Sequence, residues 1–208
     1  MSKILVDLDA CLCNTPRMIS KWAKEMFDIG PGDVPYSNAV FNIEDAWEGM
    51  NFQKMKQIFS KPEFWKSVKP FSMASSFTDQ LKLWGEVHIV TDRRWYPELV
   101  QETEEWLNVN KIRYDVLATV KGTEKHAYCS QTGITVAVED RVENVQSISK
   151  VCQVVIMRWP YNEEKLEETV STKFADNYFQ AVKEISVLLG KDQDSWVHAQ
   201  AVQHLRDQ

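Results

Sequence analysis

The sequence is poor in cysteine and histidine and has no paired-cysteine motif. Four of its 208 residues are cysteine, no two of them have zinc-ribbon spacing, and the four histidines are scattered. These absences disfavour a structural zinc site. Free thiols in a reducing compartment are the expected state of the cysteines.

Long apolar runs and clusters of basic residues are absent as well. No apolar stretch approaches the roughly 20 residues that span a bilayer. The N-terminus is too short and too soon acidic for a signal peptide, so we expect a cytoplasmic protein with no membrane contact. The net charge is −6 and no Lys/Arg run occurs. A long nucleic acid is therefore not an expected partner, because such partners are normally bound by a basic face.

Short apolar runs alternate with helical patterns along most of the chain. Hydrophobic residues make up 44% of the sequence, so a packed core is expected. Strands of buried length are predicted at 4–6, 87–90, 114–118, 134–138 and 154–157, and helices at 97–108, 143–150 and 175–189. Because strands that alternate with helices form parallel sheets, we predict an α/β fold with a central parallel sheet flanked by helices.

Residues 15–70 interrupt this alternation. The segment is rich in aromatic residues and has helical patterns around a Pro/Gly loop at 30–32. It is predicted to be a helical insertion after the first strand, within a core formed by 1–14 and 71–190. Residues 191–208 are polar with a weak helical stripe, which predicts a docked helix or a frayed tail.

Two acidic residues follow the first predicted strand. The run 4–6 ends in Asp7-Leu8-Asp9, and alternation along an extended chain directs both carboxylates to the same side. Ligands of open parallel sheets bind beyond the carboxyl ends of the strands, so Asp7 and Asp9 are expected at the ligand-binding edge. Acidic residues also cap helices and form turns, so the doublet alone is only moderately specific.

Polar residues follow the later strands in register with this doublet. Each has an ordinary alternative, as a strand-end cap, a solvated helix residue or a turn. Their succession at consecutive strand ends nevertheless favours one shared site. The residues are Thr91-Asp92-Arg93 after the second run, Lys121 and Lys125 after the third, and Glu139-Asp140 with Asn144 after the fourth.

At these residues the chain resembles the haloacid dehalogenase superfamily of phosphohydrolases, whose pattern is DxD, then Thr or Ser, then Lys, then an acidic pair. Within it, the chain is most similar to the 5′(3′)-deoxyribonucleotidase group (5′ nucleotidase, deoxy, cytosolic type C), through residues 91–93, 125–129 and 158–162. It departs in having Ala10 and Cys11 where Gly and then Thr or Val are usual, and Glu139 where Asp is frequent. The resemblance implies a Rossmann-like core with a small helical cap. The group has bacterial and phage members, and the sequence leaves open whether the source is a cell or a phage.

The resemblance also implies a Mg²⁺-dependent phosphomonoesterase with a covalent intermediate. Asp7 would attack phosphorus and form an aspartyl-phosphate. Asp9 would protonate the leaving alkoxide and then deprotonate water. Thr91 would donate a hydrogen bond to a phosphoryl oxygen. Lys125, at a predicted helix N-terminus, would neutralise the transferring group and hold Asp7, with Lys121 as the rival lysine.

The remaining candidates surround the metal and the leaving group. Mg²⁺ is implied to be held by Asp7, the backbone carbonyl of Asp9 and Asp140, with Glu139 as the alternative acid. The other candidates are the amide of Asp92 on a phosphoryl oxygen, Arg93 or Arg94 on a nucleotide phosphate or in solvent, Asn144 beside the metal's carboxylate, and Phe41, Trp47 and Trp65, whose rings would either stack on a nucleobase or form the cap's own core.

The expected substrate is a small phosphate ester, in the first instance a deoxyribonucleoside monophosphate. The alternatives are a phosphatase for other small esters or for 3′-phosphate ends of nucleic acids, a non-catalytic phosphoacceptor, and a family member that binds ligand without turnover. A receiver-type phosphoacceptor carries its Asp on the third strand, and the third run here, 114–118, ends without one. The sequence leaves open the base and sugar, the position of the phosphate and whether the chain forms a homodimer.

Overall fold

The structure of the protein is a computed structural model, in which residues 1–29 and 49–191 are described. The predictions made for Phe41, for Trp47 and for the tail beyond residue 191 lie outside the described residues.

A six-stranded parallel sheet forms the centre of the fold. Its strands are β1 (Ser2–Val6), β2 (Gly85–Thr91), β3 (Val116–Thr119), β4 (Val136–Glu139), β5 (Gln153–Met157) and β6 (Thr172–Ala175), in the spatial order β3-β2-β1-β4-β5-β6. The first strand is central and pairs with β2 on one side and β4 on the other. The strand order reverses at β1, which is where open sheets of this kind bind ligands.

Nine α-helices of the described residues accompany the sheet. They are α1 (Thr15–Phe27), α2 (Phe52–Phe59), α3 (Pro62–Ser67), α4 (Ala74–Trp84), α5 (Leu99–Val109), α6 (Lys125–Thr132), α7 (Val142–Ile148), α8 (Pro160–Glu163) and α9 (Tyr178–Leu188). The predicted α/β fold class, a central parallel sheet flanked by helices, is confirmed. Within the described ranges no helix combines the length and the apolar character needed to cross a membrane.

The central strand is buried on both faces, which fixes the acidic residues that follow it. Ile4 and Val6 pack in a hydrophobic cluster that includes residues of α4 and α9. Leu5 points the other way, into a second cluster that includes residues of α6 and α7. A parallel strand covered on both sides reads as a continuous apolar run, as it does here. The backbone that leads into Asp7 is therefore held from both layers.

The end of the chain differs from the sequence-based prediction. The range 175–189 was predicted as a helix, whereas the helix α9 begins at Tyr178, after Asn177, whose side chain accepts a hydrogen bond of 3.0 Å from the backbone N–H of Gln180. Ahead of it lies β6, which the sequence did not reveal. This strand is four residues long and carries a lysine, so it lacks the apolar run that marks the other strands.

The described parts of 15–70 are helical, and the two ends of the segment lie side by side. Helix α1 starts after Asn14, whose side-chain oxygen accepts a hydrogen bond of 3.2 Å from the N–H of Arg17. Two backbone hydrogen bonds join the ends of the segment. The N–H of Asn14 donates to the carbonyl of Lys69 at 3.1 Å, and the N–H of Phe71 donates to the carbonyl of Leu12 at 2.9 Å. The division into core and cap stays a prediction.

Candidate active site

The loop after β1 places Asp7 at the carboxyl edge of the sheet. The N–H of Asp7 donates to the carbonyl of Val138 at 2.9 Å, which continues the pairing with β4 past the end of β1. Ala10 has a φ of 64°, in the left-handed region where an L-residue costs roughly 1–2 kcal/mol. Its N–H donates to the carbonyl of Cys13 at 2.9 Å, and the indole N–H of Trp159 donates to its carbonyl at 3.0 Å. These bonds explain how alanine is held where glycine is usual in the family pattern.

Lys125 lies between two buried carboxylates. Its Nζ is 2.6 Å from Oδ1 of Asp7 and 2.8 Å from Oε2 of Glu139, and only 2% of the Lys125 side chain is exposed. It is the first residue of α6, whose Cys129 lies in the same hydrophobic cluster as Ala137 of β4. The rival Lys121 is exposed. The structure therefore brings Lys125, and not Lys121, to the acidic doublet.

The ionisable groups around Lys125 shift one another. Burial, followed by the charge of Glu139, raises the pKa of Asp7 to about 7, although Lys125 opposes the shift. Burial works against the ammonium form of Lys125, but Asp7 and Glu139 outweigh it and raise the pKa of Lys125. Burial and Glu139 also raise the pKa of Asp140 well above its ordinary value. The site holds more buried carboxylates than one lysine neutralises.

Asp7 and Asp140 meet at a group of side chains that could bind a cation. One ligand atom each from Asp7, Cys11 and Asp140 lies within 4.8 Å of the others, all three residues being buried. The Cys11 thiol donates to Oδ1 of Asp140 at 3.5 Å, and the hydroxyl of Tyr161 donates to Oδ2. The two carboxylates fit a hard divalent cation such as Mg²⁺, whereas a thiol suits softer metals.

Glu139, the alternative acid, is fully buried and occupied elsewhere. Its Oε2 accepts a hydrogen bond from Lys125. Its Oε1 accepts hydrogen bonds of 3.2 Å from the backbone N–H groups of Asp140 and Arg141. Its carboxylate is not part of the group formed by Asp7, Cys11 and Asp140. The geometry thus separates the acidic pair into one residue facing Lys125 and one facing the nucleophile candidate.

Asp9 is held by a buried arginine. Nη2 of Arg93 is 2.7 Å from Oδ1 of Asp9, and Nε is 3.0 Å from Oδ2. The hydroxyl of Thr15 also donates to Oδ1, and that of Thr91 donates to Oδ2 at 3.4 Å. Burial opposes ionisation, but the charge and hydrogen bonds of Arg93 prevail and lower the pKa of Asp9. Arg93 does not face solvent, since it is 1% exposed.

The other sequence candidates lie around this centre. Asp92 is exposed; its carboxylate pairs with Arg94 at 2.6 Å and accepts the N–H of Gly122 at 3.2 Å. Asn144 is buried and packs so closely on Gly122 that a Cβ there would lie 3.0 Å from Oδ1 of Asn144. Trp65 is buried against other aromatic rings, and its indole N–H donates to the carbonyl of Phe59 at 2.8 Å.

Comparison with known proteins identifies the family. The family described as 5′ nucleotidase, deoxy (Pyrimidine), cytosolic type C protein matches residues 1–187 of the chain. The chain belongs to this family. Its membership makes the protein a nucleotidase-type phosphomonoester hydrolase and implies a small phosphate ester as substrate. The buried group of Asp7, Cys11 and Asp140 could hold a divalent metal.

Individual relatives of this nucleotidase-family protein are distant. "Putative nucleotidase YqfW" of Bacillus subtilis (strain 168) is 26% identical over 165 residues, which cover 72% of this chain and 83% of that protein. The haloacid dehalogenase-like hydrolase SP0104 from Streptococcus pneumoniae has a TM-score of 0.59 at 11% identity and covers 89% of this chain and 98% of its own. The L-2-haloacid dehalogenase from Xanthobacter autotrophicus gives 0.57 at 11% identity, with the same 89% and 98% coverage. The two solved structures show a shared fold.

Three residues of the nucleotidase-family site were not expected from the sequence. They are Cys11 beside Asp140, Thr15 on Asp9, and Tyr161 on Asp140. Cys11 stands four residues after Asp7 and was noted only as a departure from the family pattern. Tyr161 belongs to the stretch 158–162 that resembles the family, which was the available signal for it. No pattern of spacing indicated that Arg93 would turn towards Asp9.

Proposed function

We propose that this nucleotidase-family protein is a Mg²⁺-dependent hydrolase of deoxyribonucleoside monophosphates that uses Asp7 as its nucleophile. The observation that supports this most directly is the position of Asp7 between Lys125 and Asp140. One oxygen of Asp7 is 2.6 Å from Nζ of Lys125, and the same residue shares a cation-sized group of ligand atoms with Asp140. A carboxylate with a fixed cation on one side and a metal site on the other is arranged to meet an anionic phosphate.

The proposed reaction has two steps. In the first, an oxygen of Asp7 bonds to phosphorus, the ester P–O bond breaks, and Asp9 gives a proton to the leaving alkoxide. Because Arg93 lowers the pKa of Asp9, Asp9 must first take up this proton as the anionic substrate binds. In the second, Asp9 takes a proton from water, whose oxygen attacks phosphorus and releases Asp7 and inorganic phosphate. Lys125 offsets the charge of the phosphoryl group, and Thr91, which lies beside Asp9, donates a hydrogen bond to a phosphoryl oxygen.

A divalent cation fits the charge balance of the site. The carboxylates of Asp7, Glu139 and Asp140 are buried together and Lys125 is the buried cation that contacts two of them. We propose Asp7, Asp140 and the backbone carbonyl of Asp9 as the protein ligands. When bound, Mg²⁺ would supply positive charge to the phosphate oxygens and to these carboxylates. Cys11 is the one member of the group whose chemistry does not favour Mg²⁺.

Removal of divalent cations should silence the enzyme. A chelator in excess is expected to lower the rate of phosphate release to the background, because the buried carboxylates would then repel the anionic substrate. Addition of excess Mg²⁺ should restore the rate, and Ca²⁺ should restore less, because Ca²⁺ adopts a looser coordination geometry. Phosphate release is measured before and after each addition. A rate that persists in chelator would contradict the metal role.

The substrate class is tested with a panel of phosphate esters. Deoxyribonucleoside and ribonucleoside 5′- and 3′-monophosphates, sugar phosphates and 3′-phosphorylated oligonucleotides are compared by kcat/KM in Mg²⁺. We expect the deoxyribonucleoside monophosphates to exceed the sugar phosphates by at least about tenfold, because a base-binding surface adds binding energy that a sugar phosphate lacks. Equal values across the panel would defeat the nucleotide assignment, and a preference for oligonucleotides would favour a 3′-end phosphatase.

We propose residues 15–70 as the cap that selects the leaving group. The proposal is supported by α1, α2 and α3, which follow the loop of Asp9 in the chain. Trp65, in α3, contacts Phe59 and Phe64 and donates its N–H to a backbone carbonyl, so its ring serves the packing of the segment. The proposal that Phe41 and Trp47 stack on the nucleobase rests on the sequence alone.

A further inference from the structure

The carboxylate of Asp9 is clamped unequally at its two oxygens. Oδ1 accepts from Nη2 of Arg93 at 2.7 Å and from the hydroxyl of Thr15. Oδ1 also lies 3.2 Å from Nε of Arg93, so it has three contacts with Arg93 and Thr15. Oδ2 has two contacts with Arg93 and Thr91, 3.0 Å to Nε and 3.4 Å to the hydroxyl, both longer than the 2.7 Å bond at Oδ1. Oδ2 is therefore the oxygen with more freedom to exchange a proton, because longer hydrogen bonds are weaker.

We propose that Arg93 is a positioning residue, which fixes Oδ1 of Asp9 so that Oδ2 faces the leaving group. This inference rests on the proposed function, in which Asp9 exchanges the proton. Arg93 itself touches neither phosphate nor metal in this role. A planar guanidinium holds a carboxylate at two points and so sets its plane, which a single lysine ammonium cannot do.

Arg93 is itself fixed by two tryptophans from different parts of the chain. Its guanidinium carbon lies 4.7 Å from the centre of the Trp65 ring and 5.6 Å from that of the Trp106 ring. Each indole N–H is anchored to a backbone carbonyl, Trp65 to Phe59 and Trp106 to Val68, both at 2.8 Å. Cation–π contacts in a buried site restrict the guanidinium plane.

This packing links the cap segment to the proton-exchanging carboxylate. Trp65 belongs to α3, within 15–70, whereas Trp106 belongs to α5 of the core. Arg93 is the residue between them and Asp9, and it is 1% exposed. A change in the position of α3 would therefore be transmitted to Asp9 through one side chain. Replacing Arg93 removes this restraint and also a charge that lowers the pKa of Asp9. The positioning role predicts that the lost orientation outweighs the easier protonation, so that proton transfer is specifically impaired.

The test compares two substrates that differ in their need for a proton. An alkoxide leaving group, as in thymidine 5′-monophosphate, needs protonation, whereas the phenolate of p-nitrophenyl phosphate leaves without it. For Arg93→Met we expect kcat/KM to fall about 100-fold on the nucleotide, because general acid catalysis typically contributes about 100-fold or more. On p-nitrophenyl phosphate, which needs no general acid, we expect kcat/KM to fall less than about fivefold. Arg93→Lys should show the same selectivity with a smaller loss on the nucleotide.

The ratio of the two kcat/KM values is independent of the fraction of correctly folded enzyme, so partial misfolding does not obscure the result. Arg113→Met is the matched control, because Arg113 is exposed and pairs with Asp79 away from the site. Its ratio should equal that of the wild type. Equal losses on both substrates in the Arg93 variants, or no loss, would overturn the positioning role alone. A wild-type protein that hydrolyses neither ester would overturn the proposed function and this inference together.

Discussion

Asp7→Asn is expected to abolish phosphate release, with a loss of roughly a thousandfold or more, as for removal of other nucleophiles. The amide is nearly the same size as the carboxylate, and its oxygen can still accept the hydrogen bond that Lys125 donates to Oδ1. It is a poor nucleophile, however, and it brings no negative charge to a cation. The fold should therefore persist while the chemistry stops. Steady-state phosphate release and circular dichroism measure the two properties separately.

Asp176→Asn is the matched control for this substitution. Asp176 follows β6 at the same edge of the sheet but is exposed and pairs with Arg158 at 2.6 Å. Its replacement should leave the rate within about twofold of the wild type, because exposed ion pairs contribute little. Substantial phosphatase activity in Asp7→Asn, with the wild-type metal requirement, would refute the nucleophile assignment.

Lys125→Met should lower both stability and activity. Lys125 is the shared partner of two buried carboxylates, so its loss leaves Asp7 and Glu139 facing each other without a cation. Removing one partner of a buried ion pair costs about 3–5 kcal/mol in the free energy of unfolding. We also expect the turnover rate to fall by roughly 100-fold or more, on the scale of removing an electrostatic stabiliser of the transition state. Urea denaturation in chelator measures the first quantity.

Lys121→Met separates the two candidate lysines. Lys121 is exposed and lies four residues earlier, so its replacement should change the free energy of unfolding by less than about 0.5 kcal/mol. If Lys121→Met lost activity while Lys125→Met kept it, the lysine assignment would be reversed. If neither variant lost activity, the proposed role of a lysine in charge neutralisation would be wrong.

The sequence predicted the strands of the sheet better than the contacts of the site. Apolar runs marked β1 to β5. Four of these strands are buried along most of their length, where a strand covered on both faces has little but apolar residues, and β3 is partly buried. The four-residue strand β6 was not predicted from the sequence, because its burial depends on the neighbouring β5 and α9 rather than on its own composition. All strands of a parallel sheet end at the same edge, so the polar candidates that follow the strands lie at one edge of the sheet.

The pairing of side chains across that edge depends on loop geometry that no periodicity encodes. The structure distinguishes the two candidate lysines, because α6 begins at Lys125 and Lys125 is buried, whereas Lys121 is exposed. The motif around Arg93 does not show whether its side chain faces solvent or Asp9. In the structure the guanidinium packs on Trp65 and Trp106, and this packing sets its direction. Cys11 reaches Asp140 because Ala10 adopts a positive φ, a backbone state that sequence reasoning assigns to glycine.

The paired ends of segment 15–70, the proposed cap, fix where this segment leaves the rest of the fold and rejoins it. The N–H of Asn14 bonded to the carbonyl of Lys69, and that of Phe71 to the carbonyl of Leu12, close the segment into a loop whose base is fixed. Lengthening a closed loop adds only a slowly growing entropic cost, about 0.6 kcal/mol for each doubling. Insertions or deletions between these anchors that spare Thr15, which contacts Asp9, and Trp65, which contacts Arg93, would therefore leave Asp7 and Asp9 in place. If the segment is the cap we propose, the chain could change what it accepts without rebuilding how it reacts.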